Sequence, residues 1–212
     1  MSLRSGITVV IPTIPPRTAL LNRAAESVAE ASSYLVDSKL SVPVEIITST
    51  DANREGAART RHRGLMAVET EWVAFLDDDD RMLPNHLAKL YGAALTNPRG
   101  IDYLWSRFVI KYPDGSSLDG PAFLGDKAFN QWDDNDPCQT TITTLVRTEL
   151  ARDAGGFLQF EEGELIDGQR RGEDFEFTSR CRWAGGEFLH VPHVTWEWWH
   201  HGKNTSGLPD RW

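Results

Sequence analysis

The chain is 212 residues long, 40% hydrophobic, and carries a formal charge of -9. That length and apolar content suffice for one good core, so a single domain is expected, and the acidic balance argues against wholesale nucleic-acid binding, which needs a basic face. Cys138 and Cys181 alone make neither a disulfide scaffold nor a metal-ligating pair, no apolar run approaches the ~20 residues of a bilayer span, and MSLRSG lacks a signal-peptide core. A soluble, cytoplasmic protein in a reducing compartment is the expectation.

Residues 7–11 form a β-branched run closed by Pro12 and predict a buried strand. A helix is expected over about 16–33, opened by proline, then a second strand over 44–48. The alanine-rich segment 56–69 reads as a helix, and several arginines gather between Arg54 and Arg63. Guanidinium forks suit a diphosphate, although a salted helix face is the plainer use of the same residues. Residues 72–76 complete a strand, helix, strand, helix, strand order. That order predicts an α/β protein with parallel strands and ligands at their carboxyl ends, here Thr13, Thr48 to Asp51, and Asp77 to Asp80.

Beyond this point the pattern is mixed. A helix is predicted over 83–95 from Pro84, a break at Asn97-Pro98-Arg99-Gly100, and a strand over 102–112 that ends in Pro113-Asp114-Gly115. Residues 120–137 read as a Gly-, Asp- and Asn-rich loop and 140–146 as a strand. A helix is expected over 172–184, with Phe177, Cys181 and Ala184 at helical spacing, then two short strands over 187–191 and 193–198.

Three groups of residues carry chemistry. The run Asp77-Asp78-Asp79-Asp80 follows the third strand directly, and strand alternation brings Asp77 and Asp79 out together at its carboxyl edge. Two ionised carboxylates a few Å apart repel by roughly 1 kcal/mol even in water, a penalty that a divalent cation bridging them to a diphosphate relieves. A solvated acidic turn capping the next helix is the plainer alternative. Asp174, in GEDFEF, lies three residues before Phe177 on the core-facing stripe, so it is expected to look into a cleft, where a carboxylate can act as general base. Glu173 and Asp174 also suit the helix dipole without any catalytic role. In the tail, His200-His201-Gly202-Lys203-Asn204-Thr205-Ser206 can close over phosphate and metal; which histidine does so stays open. The tryptophans before it suit a core or stacking on a sugar or base.

In sequence order, IPTIPPR, TRHRG, FLDDDD, AGGF, GEDFEF and HGKNTS resemble a family 2 glycosyltransferase of the GT-A fold over nearly the whole chain. The resemblance implies one domain over 1–212 with a Rossmann-like, mixed and mainly parallel central sheet flanked by helices. Residues 1–100 are then the nucleotide-sugar-binding half and 101–212 the acceptor-binding and catalytic half. It implies a nucleotide-diphospho-sugar donor, a UDP-sugar first of all, held through Pro12, Thr13, Arg17, Asp51, Arg61, Asp78 and His201. Asp77 and Asp79 become the D-x-D pair for Mn²⁺ or Mg²⁺, with His201 beside the metal. Asp174 becomes the base of an inverting, single-displacement transfer to a hydroxyl of a glycan, lipid, protein or small molecule.

Two departures from the family pattern stand out. His62 replaces the usual Asn of the Ala-Arg-Asn-x-Gly segment that Arg61 matches. Thr48-Ser49-Thr50-Asp51 replaces the Asp-Asp-Gly-Ser-like turn whose aspartate holds the nucleobase, leaving that role to a shifted Asp51 or to hydroxyls. With no span to thread a polymer, one sugar per visit is expected, and Gly155-Gly156-Phe157 and the loop over 161–172 are expected to shape the acceptor side. A sugar-phosphate nucleotidyltransferase is an alternative, but Thr13-Ile14-Pro15-Pro16-Arg17 lacks the Gly-rich turn such enzymes place after the first strand. A non-catalytic nucleotide-sugar-binding module is another, yet it has no need of both Asp174 and the D-x-D pair.

Overall fold

The computed structural model describes residues 2–120, 143–157 and 172–201. Most of the loops expected over 120–137 and 161–172, together with Cys138 and Lys203, Asn204, Thr205 and Ser206, lie outside the described residues. The first half runs β1 (Arg4–Thr13), α1 (Thr18–Asp37), β2 (Val44–Thr50), α2 (Ala57–Met66), β3 (Thr70–Phe75), β4 (Arg81–Met82) and α3 (His86–Thr96). The second runs β5 (Tyr103–Lys111), β6 (Ser117–Asp119), β7 (Thr144–Arg147), α4 (Thr148–Asp153), α5 (Glu173–Trp183) and β8 (Phe188–Trp199).

These strands form one sheet in the order β2-β1-β3-β7-β5-β8-β4, with β6 added to β5. β2 and β3 flank β1 in parallel, so Val9 lies between Ile46 and Ala74. β7 enters antiparallel between β3 and β5, and β8 runs parallel to β5. Strands β1, β2, β3, β5 and β8 therefore share one direction and bring their carboxyl ends to one edge.

Alternation along the strands feeds a core on each face of the sheet. Ile7, Val9, Ile11, Trp72 and Ala74 pack with Val28 and Leu35 of α1 and Leu87 and Leu90 of α3. Val10, Val73 and Phe75 point the other way, onto Leu65 of α2, Leu150 of α4 and Phe177 of α5. Burial of each such side chain contributes about 1.5–3 kcal/mol. Trp196 and Trp198 close a smaller cluster with Phe108 and Ile110. Their use is therefore core packing, with Trp196 stacked on Phe108 at 4.7 Å between ring centres. No helix among the described residues is long and apolar enough to cross a membrane.

The two short strands expected over 187–198 are one strand, β8, whose pairing with β5 shifts register around Pro192 and His193. Proline lacks an N–H for the ladder, so the strand bulges there rather than ending. The helix after β3 starts at His86 because residues 81–82 pair with Glu197 and Trp196 as β4.

Gly156 requires its backbone. It sits at φ 66, and an added Cβ lies 2.5 Å from the His62 ring, so the turn after α4 lies flat on α2. Arg180 of α5 holds the same turn, donating to the carbonyls of Ala154 and Gly156 while paired with Glu176. Gly156→Ala therefore combines left-handed strain with a collision and should cost at least about 1–3 kcal/mol in urea unfolding. Gly115→Ala is the control, with φ 86 but open space around the added carbon. Its cost should stay near the ~1 kcal/mol of left-handed strain alone.

Candidate active site

Where β3 ends, alternation continues for two more residues. Asp77 follows Val73 and Phe75 toward α2 and α5, and Asp78 follows Ala74 and Leu76 toward α1. The Asp80 N–H donates to the Asp77 carbonyl at 3.1 Å, closing a turn that folds the later acids back. Carboxylate oxygens of Asp77, Asp79 and Asp80 thereby come within 4.8 Å of one another. Asp77 and Asp79 converge as expected, and Asp80 joins them.

Each acid has a partner from a different element. Asp78 accepts from Thr13 Oγ1 at 2.6 Å and Arg17 Nη1 at 2.8 Å, with Arg17 also 3.4 Å from Asp79. His201 Nε2 lies 2.9 Å from Asp79 Oδ2. His200 turns away toward Tyr112 and Trp198, so His201 is the histidine at the cluster. Asp80 accepts the Trp199 backbone N–H at 3.0 Å, pinning the end of β8 that delivers His201. Arg23 of α1 donates to the Asp79 carbonyl at 2.6 Å and stacks over the Trp199 ring at 4.5 Å.

Arg61 of α2 joins this cluster to α5. Its Nη2 donates to Asp77 at 2.6 Å and its Nη1 to Glu173 at 2.8 Å and Asp174 at 3.3 Å. The guanidinium is almost fully buried, above Phe157, which stacks on Phe177. Gly64, one turn after Arg61, lets α2 approach β1, since an added Cβ falls 2.4 Å from Val10. Asp174 and the acidic run, distant in sequence, thus share one cation.

Pro12 is buried in β1 opposite Ser49, one residue before Thr13. Asp51 stands at the end of β2, but its oxygens accept the N–H groups of Glu55 and Gly56, both at 2.8 Å. As arranged, Asp51 shapes its own loop, and contact with a donor is left to its remaining lone pairs.

Burial pushes the Asp174 carboxyl up to about 7, opposed by Arg61 and reinforced by Glu173 and Asp77. Asp80 is also raised, by burial and by the charges of Asp77 and Asp79. Asp78 is raised by burial against the pull of Thr13 and Arg17. Burial works to lower Arg61, but Asp77, Asp174 and Glu173 outweigh it and keep it charged.

A carboxyl raised on folding holds its proton after the unfolded chain has released it, so these groups cost stability as pH rises from about 4, for Asp174 until about 7. Metal-free protein should therefore melt at progressively lower temperature over that window, measured by scanning calorimetry. Adding Mn²⁺ should raise the midpoint more at pH 7 than at pH 5. The donor set fits such an ion, being carboxylate oxygens that suit Mg²⁺ or Mn²⁺.

The sequence profile of glycosyl transferase family 2 matches residues 24–155. The chain belongs to that family. Solved structures share its fold, the GT-A fold. S. aureus TarS 1-349 in complex with UDP-GlcNAc is similar at a TM-score of 0.61 and 16% identity, over 92% of this chain and 58% of that one. The catalytic domain of Drosophila beta1,4galactosyltransferase 7, in complex with xylobiose, gives 0.55 and 18%, over 91% and 69%. This chain thus spans less than two thirds of the length of the TarS chain. No curated protein sequence matches it.

Sequence reasoning missed Arg23 and the parts played by Asp80 and Glu173. Asp80 was visible in the acidic run, but only the turn closed by its N–H makes it converge with Asp77. Arg23 belongs to no motif and is recruited by the fold of α1 over the acidic turn.

Proposed function

We propose that this family 2 member transfers a sugar from a nucleotide-diphospho-sugar, a UDP-sugar first of all, to an acceptor hydroxyl with inversion. The observation that carries the reading is the shared guanidinium of Arg61, with the acidic pair on one side and Asp174 on the other. That spacing suits a leaving diphosphate at the acids and an attacking hydroxyl at Asp174. UDP-GlcNAc bound to TarS supports the choice of donor class.

In this mechanism Thr13, Arg17 and Asp78 form a bonded floor at the ends of β1 and β3, and Arg17 offers its remaining N–H groups to phosphate oxygens. Arg61 and His201 assist departure from the other side. Asp77 and Asp79 would hold Mg²⁺ or Mn²⁺, which when bound supplies positive charge to the departing diphosphate. Asp174 takes the proton from the acceptor hydroxyl as that oxygen attacks, and its raised pKa matches the task near neutral pH. The division into a donor half over 1–100 and an acceptor and catalytic half over 101–212 follows the same reading, as does a cytoplasmic setting.

The test is a thermal-shift screen of nucleotide-sugars and nucleoside triphosphates with Mn²⁺, followed by mass detection of glycosylated product. A ligand that binds only the native state raises the midpoint. A shift with nucleotide-diphospho-sugar but none with triphosphate is expected. The reverse pattern, or binding without product from a broad acceptor panel, would overturn transfer.

A further inference from the structure

Resting on the glycosyl-transfer reading, we propose that Arg61 is a positioning residue that links occupancy of the Asp77 and Asp79 pair to the base. The more fully a divalent cation engages Asp77, the more fully Arg61 serves Asp174. The geometry divides one planar fork between two tasks. Nη2 makes its bond to Asp77, while Nη1 is split between Glu173 and Asp174, and the Asp174 distance is the longest of the three. Nε is buried with no hydrogen-bond partner, so among the described residues these three carboxylates supply all the hydrogen bonds that hold the guanidinium above Phe157.

Among the described residues, the charged groups facing Asp174 all belong to this arrangement: Arg61 from α2, Asp77 from the end of β3, and Glu173 beside it on α5. Without a cation, Asp77 both repels Asp174 and competes for Arg61, its positive partner among the described residues. A divalent cation on Asp77 removes the repulsion and weakens the competition, and both changes favour ionised Asp174. The converse follows by linkage, because ionised Asp174 draws Arg61 from Asp77 and so strengthens cation binding. Lysine keeps the charge but loses the fork, so it serves one side at a time.

The experiment titrates Mn²⁺ alone, with neither donor nor acceptor, by calorimetry on the wild type, Asp174→Asn, Arg61→Lys and the double variant. Unfolding curves verify that each is folded, and Arg61→Gln is the second substitution should the lysine variant fail. At pH 8, Asp174→Asn should weaken Mn²⁺ binding at least ~fivefold in the wild type, the low end of typical couplings between sites, but less than ~twofold when Arg61 is replaced. At pH 5, where Asp174 is protonated in the wild type, the two affinities should converge. Equal weakening with and without Arg61 means charge acting through space, and no weakening means no link; either overturns the proposal. Because no sugar is present, a coupled protein that transfers nothing rejects the transfer reading alone, while transfer without coupling rejects only this link.

Discussion

Asp174→Asn should lower turnover by at least ~100-fold while leaving nucleotide-sugar affinity within about threefold at saturating Mn²⁺, the pattern of a lost general base. The amide keeps the shape and can still accept from Arg61, so the fold and the donor side are left in place. What it cannot do is take a proton. Burial raises the metal-free carboxyl to about 7 and a cation on Asp77 draws it back, so the acid limb of the wild-type kcat/KM profile with Mn²⁺ should lie between the ordinary 4 and about 7. Glu173→Gln provides the contrast, since Glu173 bonds the other side of the same Arg61 nitrogen and is expected to change turnover only several-fold. Native turnover in Asp174→Asn, or a larger loss in Glu173→Gln than in Asp174→Asn, would remove Asp174 from the role of base.

Much of this was legible in sequence because it rests on local pattern. The β-branched runs ending at Pro12 and Thr48, the alanine-rich α2 and the apolar run before Asp77 each announce an element, and their order fixes the parallel half of the sheet. The stripe through Phe177 and Cys181 marks the buried face of α5, whose first turn sets Asp174 beside Arg61. Where the reading stopped, long-range pairing decides. β4 is two residues long and exists only because Arg81 and Met82 find Glu197 and Trp196. α4 is a six-residue helix too short for periodicity to show. Pro192 reads as a strand break in isolation, while the long pairing with β5 carries the strand through it. The candidate site follows the same division, since motifs named its acids and Arg61 but not Arg23 of α1, which the fold brings to the Asp79 carbonyl.

Asp79→Ala should weaken Mn²⁺-dependent binding of UDP by at least ~10–100-fold, more than any substitution on the α1 side of the acidic turn. Loss of groups that merely support a metal ligand typically costs that range, and a ligand itself should cost no less. The carboxylates of Asp77, Asp79 and Asp80 stand within 4.8 Å of one another, where like charges repel by roughly 1 kcal/mol in water and about 4 kcal/mol in a partly dehydrated site. Arg61, His201 and the Trp199 N–H offset part of that repulsion, and a divalent cation relieves the remainder most effectively when both Asp77 and Asp79 stay charged. Asp78→Asn separates the two faces of the turn. Asp78 bonds Thr13 and Arg17, so its loss should loosen the donor floor yet leave affinity for Mn²⁺ alone nearly intact. A chelator should then abolish UDP binding in the wild type and in Asp78→Asn, and add little to the defect of Asp79→Ala. Equal sensitivity to chelator in Asp79→Ala and the wild type would place the metal elsewhere, and with it the leaving diphosphate.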